Sequence, residues 1–198
     1  MNKRVFKVHP IMIPFFLFFY LSGEIAIYSI VFGSLLIHEV GHLIAAKLVG
    51  IKVRSCTILP YGGEIKMEQF SKVSKSGQLF VIFGGPFFTF LLMIFSYFID
   101  FPQDHFIFLT QLIILCLNLL PIYPLDGGRA LDALFPAKYE MLIGFSIWSS
   151  SLIFLLSLAY FPQAISVSLI FLFIVLQNYA YWRFRKYKLA FDQITKIA

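Results

Sequence analysis

Charge is what this sequence lacks. Only 13% of its 198 residues are Asp, Glu, Lys or Arg, about half the share found in ordinary soluble domains. Cysteine is almost as scarce. Cys56 and Cys116 stand 60 positions apart, which makes neither a disulfide framework nor a C-x-x-C metal knuckle. Internal repeats and low-complexity linkers are missing, so a solenoid and a disordered chain are excluded. What fills the sequence instead is apolar: 60% hydrophobic residues, including 25 Phe. A soluble core of this size cannot hide so much Phe, Leu and Ile and still leave a wettable surface. The excess must face lipid. The composition therefore implies an integral membrane protein, a single domain over residues 1–198.

Six apolar runs compare with the roughly 17–25 residues that a spanning helix needs. They lie at about 8–22, 25–49, 79–99, 106–123, 141–160 and 164–181. The first is punctuated by Pro10 and Pro14, and the last two are parted only by Phe161-Pro162-Gln163. The first run lacks a small-residue cleavage site and reads as a retained segment rather than a signal peptide. An all-α polytopic protein with six transmembrane helices is expected.

The basic residues test that count. Lys3, Arg4 and Lys7 precede the first run, and Lys47 to Lys75 surround the link between the second and third. Arg129 and Lys138 lie between the fourth and fifth, and Arg183 to Lys196 follow the sixth. All 16 Lys and Arg thus fall on one side, while the opposite loops hold Glu24, Asp100 and Asp104. Positive loops stay cytoplasmic, so both termini are expected in the cytoplasm. The formal charge of +6 is an orientation signal, and no nucleic-acid partner is needed to explain it.

An ionisable residue within a span marks function by default. The second run holds three in His38-Glu39-Val40-Gly41-His42. Residues four apart share a helix face, so both imidazoles can address one metal ion while Glu39 serves as general base. From 4 His and the five Glu of the chain, chance yields roughly 0.002 such H-E-x-x-H motifs. A polar packing patch or proton path is the competing explanation; two imidazoles and a carboxylate without a metal are hard to stabilise in lipid.

A hydrolytic zinc takes a third protein ligand. His9 and His105 sit outside the runs and read as solvated or interfacial. Asn118 and Asp126 remain, in Asn118-Leu-Leu-Pro-Ile-Tyr-Pro-Leu-Asp126-Gly-Gly, where Pro121 and Pro124 break the helix. An Asp-Gly turn capping a short helix over residues 128–135 explains Asp126 equally well.

Together, His38-Glu39-x-x-His42 and Asn118-Leu-Leu-Pro-x-x-Pro-Leu-Asp126-Gly-Gly resemble the site-2 protease family of intramembrane zinc metalloproteases. Leu59-Pro60-Tyr61-Gly62-Gly63-Glu64 and Gly85-Pro86 extend the likeness, which runs from about residue 30 to 135. It is strongest to the member that processes a sporulation sigma-factor precursor. The resemblance implies one zinc ion per chain held by His38, His42 and Asp126, with Glu39 as catalytic base and Asn118 on the substrate backbone. It implies a transmembrane or membrane-associated protein substrate and leaves room for an inhibitory membrane partner. Two departures stand out. Many relatives have an Asn shortly after Gly-Pro, where this chain has Phe87-Phe88-Thr89-Phe90. The nucleotide-sensing domain of the sporulation member has no counterpart in residues 182–198.

The positive-inside sorting puts the motif in the cytoplasmic half of the membrane. Ile25 to His38 is roughly 20 Å of helix, and His42 to Lys47 only about 7.5 Å. Ile51–Met67 alternates branched and polar residues around Gly62-Gly63. This reads as a membrane-associated β-hairpin between spans two and three, able to pair with an extended substrate, or as a plain surface hairpin. Tyr181, Trp182 and the basic tail read as an interfacial anchor. The rival function is a metal transporter or sensor using the same His and Asp side chains without hydrolysis. An inactive homologue is a third reading, opposed by the intact Glu39.

Overall fold

The computed structural model describes residues 6–23, 25–59, 62–98, 104–160 and 165–197. Lys3, Arg4, Glu24, Pro60-Tyr61, Asp100 and Phe161-Pro162-Gln163 lie outside them. The elements are β1 (Phe6–Val8), α1 (Met12–Leu21), α2 (Ile25–Leu48), β2 (Val53–Leu59), β3 (Gly62–Met67), α3 (Lys75–Phe98), α4 (Asp104–Asn118), α5 (Asp126–Leu134), α6 (Tyr139–Tyr160) and α7 (Ile165–Ile197). Their contacts form two compact units: Met1–Phe70 with Phe80–Leu117, and Ser71–Leu79 with Asn118–Ala198.

Each apolar run lies on a helix, yet only four helices, among the described residues, are long and apolar enough to cross a membrane. These are α2, α3, α6 and α7. The other two of the expected six are short, α1 with 10 residues and α4 with 15. Such helices reach about 15 and 22 Å, against a hydrocarbon core of about 30 Å. In α7 the helix continues past the apolar run through the basic tail to Ile197. With these spanning helices the chain is an integral membrane protein.

In the first unit, α3 shows how the Phe-rich composition is used. Phe80, Phe83, Phe87 and Phe90 recur at helical spacing and are all exposed, whereas Val81, Gly84, Gly85 and Thr89 on the other face are buried. The pattern inverts that of a soluble helix, as a lipid-facing surface requires. The buried face of α2 is likewise polar, with Ser34, His38 and His42 one turn apart. Ser34 Oγ accepts a 2.5 Å bond from Gln111 Nε2 of α4. Glycine sets the distance between α2 and α3. A Cβ on Gly41 would strike the Gly84 carbonyl, and one on Gly84 would lie 2.8 Å from Ala45 Cβ. Small residues let two helix backbones close in this way.

The chain between α2 and α3 forms the expected antiparallel hairpin, β2 with β3, in the register Cys56–Ile65 and Ile58–Gly63. Two details differ from expectation. Gly62-Gly63 lies on β3 instead of at the turn. A third strand, β1, pairs in parallel with β2, Phe6 opposite Cys56. Three residues before a proline carry too little pattern to reveal it. The sheet order β1-β2-β3 leaves β3 at an edge.

In the second unit α6 and α7 pack through small polar residues. Ser157 Oγ meets Ser168 Oγ at 2.7 Å, and Ser146 and Ser150 bond carbonyls one turn back in their own helix. Hydroxyls satisfied in this way cost little within a bilayer.

Candidate metal centre

His38, Glu39 and His42 are 2%, 4% and 2% exposed, and their ligand atoms lie within 4.8 Å of one another. The helical repeat of α2 brings the imidazoles together, with His38 Nε2 and His42 Nε2 3.2 Å apart. Two nitrogens bound to a tetrahedral zinc at 2.0–2.1 Å stand about 3.3 Å from each other. The spacing is therefore that of a metal pair before any metal is added.

The far nitrogens are held by α3. His42 Nδ1 lies 2.9 Å from the Val81 carbonyl, and His38 Nδ1 lies 2.8 Å from Thr89 Oγ1. A carbonyl only accepts, so His42 Nδ1 carries the hydrogen and Nε2 keeps its lone pair. The Gly85 amide, 3.3 Å from the same Nδ1, is the longer and weaker contact. Pro86 has no N–H to offer Ile82, which loosens the α3 ladder at this turn. Next to it, Gly85 leaves the space in front of the rings open. A Cβ there would lie 2.6 Å from His38 Nε2 and closer still to His42 Nε2.

Glu39 is held from the hairpin. Its Oε1 accepts a 2.5 Å bond from the Gly63 amide, while Oε2 is buried without a hydrogen-bond partner among the described residues. A Cβ on Gly63 would collide with the Glu39 carboxylate, so glycine is required for β3 to come this close. An unpartnered buried carboxylate oxygen beside two paired imidazoles suits a divalent cation with a base next to it. The donor set fits zinc.

Sequence reasoning named the three motif residues but did not reach Val81, and it gave no supporting role to Thr89, Gly85 and Gly63. Thr89 lies in the stretch Phe87-Phe88-Thr89-Phe90 that follows Gly85-Pro86, and its hydroxyl is the partner of His38 Nδ1. Thr89→Val keeps the shape and removes that partner. Zinc affinity should fall about 10–100-fold, as for other losses of a hydrogen bond behind a metal-binding imidazole, and Thr89→Ser should restore it; chelator competition measures both.

Asn118 and Asp126 belong to the second unit. Both are buried, at 9% and 3% exposed. Asp126 opens α5, so the helix expected at 128–135 begins two residues earlier, and its Oδ1 lies 3.6 Å from Arg129. His9 and His105 are exposed, as expected. Cys56, opposite Ile65 on the hairpin, is buried. Burial, and then the Glu39 charge, pushes its thiol up to about 12, so it is no thiolate nucleophile at neutral pH.

A model of peptidase family M50 matches residues 26–104, the stretch that holds the motif helix, the hairpin and the Gly-Pro turn. The chain resembles the M50 peptidases, the site-2 protease family. It is 34% identical over 125 residues to a zinc metalloprotease of Methanocaldococcus jannaschii, covering 59% of this chain and 36% of that protein. It is 28% identical over 193 residues to stage IV sporulation protein FB of Bacillus subtilis, covering 91% and 67%. The match thus spans only about a third of the first relative's length. The fold is that of the site-2 protease from Methanocaldococcus jannaschii, with a TM-score of 0.72 and 24% identity, over 92% of this chain and 93% of that one. The family match ends before Asn118 and Asp126.

Proposed function

We propose that the whole chain acts as one intramembrane zinc metalloprotease domain. It hydrolyses a peptide bond of a transmembrane or membrane-associated protein near the cytoplasmic face. The observation that carries this reading is the pair of imidazole Nε2 atoms 3.2 Å apart beside the buried Glu39 carboxylate. His38 and His42 would hold the ion through Nε2, with Asp126 as the third ligand. Zinc held there would polarise the scissile carbonyl and acidify the attacking water towards a pKa of about 7. Glu39 takes the proton from that water and delivers it to the leaving amide nitrogen. Its Oε1 is steadied by Gly63, so Oε2 is the oxygen that moves the proton. Asn118 holds the substrate backbone.

A substrate helix shields its own carbonyls and must be extended before attack. The β3 edge offers backbone groups to pair with it. Because the Gly63 amide on that edge also holds Glu39, a strand paired there would be in register with the base. The similarity to stage IV sporulation protein FB makes a sporulation sigma-factor precursor one candidate substrate. The one-sided distribution of Lys and Arg favours cytoplasmic termini.

The test is co-expression with single-span membrane proteins and the candidate precursor. A fragment that depends on metal, is lost on chelation and emerges on the cytoplasmic side is expected. Metal uptake with no fragment from any of them would favour the transporter.

A further inference from the structure

The third ligand of the proposed centre stands on a short helix after two prolines, a segment with little regular structure of its own. Something must hold it still. Within the second unit Tyr123, three positions before Asp126, is held from two helices. Its amide donates to Ser146 Oγ of α6 at 2.9 Å, and Ser146 in turn donates to the Leu142 carbonyl. Its carbonyl accepts from Asn178 Nδ2 of α7. The same amide group of Asn178 donates to the Ile174 carbonyl at 3.0 Å. Two carbonyl acceptors require the NH2 end there, so the side chain has one possible orientation. Ser146 and Asn178 are both fully buried. Both backbone polar groups of Tyr123 are therefore satisfied by side chains, where an unmade bond is costly.

The hold passes on to Asp126 by contact. A Cβ on Gly128 would strike the backbone of Ile122 and Tyr123, and one on Gly127 would strike the Leu119 and Leu120 carbonyls. The first turn of α5 thus rests directly on the segment that Asn178 anchors. At the other end of α5, Lys188 of α7 pairs with Asp132 at 2.7 Å and lies over the Tyr139 ring at 3.5 Å. Helix α7 clasps the segment on both sides of Asp126.

We infer that Asn178 is a positioning residue for Asp126: by fixing Tyr123 it places the carboxylate for the metal. The inference rests on the proposed role of Asp126 as third ligand. Preorganised ligands bind more tightly because the cost of ordering them is met in folding. Asn178→Leu removes the donor and keeps the volume.

The experiment measures zinc affinity by chelator competition in the full chain for the wild type, Asn178→Leu, Asp126→Ala and the double variant. Asn178→Leu should weaken binding about 10–100-fold. The double variant should match Asp126→Ala alone, because a positioning residue has nothing left to position. Ser146→Ala, which frees the other side of Tyr123, should weaken binding in the same direction and serves if Asn178→Leu fails to fold. Ser157→Ala loosens the α6–α7 contact away from Tyr123 and should leave zinc affinity unchanged. Wild-type affinity in both Asn178→Leu and Ser146→Ala, with Asp126→Ala weakened, would overturn the inference alone. Losses that multiply in the double variant would overturn it too. Unchanged affinity in Asp126→Ala would instead remove the third-ligand reading on which it stands.

Discussion

Glu39→Gln should bind zinc as the wild type does and cleave substrate at least about 10²–10⁴-fold more slowly. The amide has the shape of the carboxylate, and its oxygen can still accept from the Gly63 amide in place of Oε1. His38 and His42 keep their Nδ1 partners on α3, so the metal site is untouched. What changes is Oε2, the buried oxygen without a partner. An amide nitrogen in that place cannot take a proton from water. The loss corresponds to about 3–5 kcal/mol in the transition state. A transporter would behave otherwise, since flux through His38, His42 and Asp126 needs no base. Zinc content, cleavage and metal uptake measured in the same membranes separate the two, and wild-type cleavage in Glu39→Gln would falsify the proposed mechanism.

The second large effect is expected from a single methyl group. Gly85→Ala should lower zinc affinity by more than about 100-fold, beyond the usual cost of losing a hydrogen bond behind a ligand. Its Cβ would stand in front of the two Nε2 atoms, 2.6 Å from that of His38, in the space a bound ion would need. The rings can yield only by giving up Thr89 and the Val81 carbonyl. The helix can yield only by opening the Gly41–Gly84 contact with α2, which is already at its closest approach. Gly63→Ala makes the matching control. The three atoms nearest its Cβ all belong to the Glu39 side chain, so it should lose cleavage and keep zinc. Wild-type zinc affinity in Gly85→Ala, read by chelator competition, is the result that contradicts the site.

Much of the centre is legible because a helix repeats every 3.6 residues. His38-Glu39-x-x-His42 needs nothing but α2 to bring two imidazoles to one face, and that prediction depends on no other part of the chain. The apolar runs are legible for a similar reason, since lipid demands a continuous stretch of one character. Their lengths as helices are less so. Pro121 and Pro124 show that the fourth run must break, but the end of α4 at Asn118 depends on what the following turn packs against. The extension of α7 through a charged tail is invisible to a search for apolar residues.

The amino-acid sequence by itself therefore determined a membrane protein, a metal motif within its second apolar run, a hairpin after it and the family it resembles. Only the tertiary structure decided what holds those parts in working order. Thr89 is 51 positions from His38, Gly63 is 24 from Glu39, and Asn178 is 55 from Tyr123. No periodicity links residues so far apart. A serine, threonine or asparagine within an apolar helix looks the same whether it bonds its own backbone or steadies a ligand on another helix. A glycine looks the same whether it bends the chain or leaves room for an ion. The difference lies in which backbone comes within about 3 Å, and that distance exists only once the helices have packed.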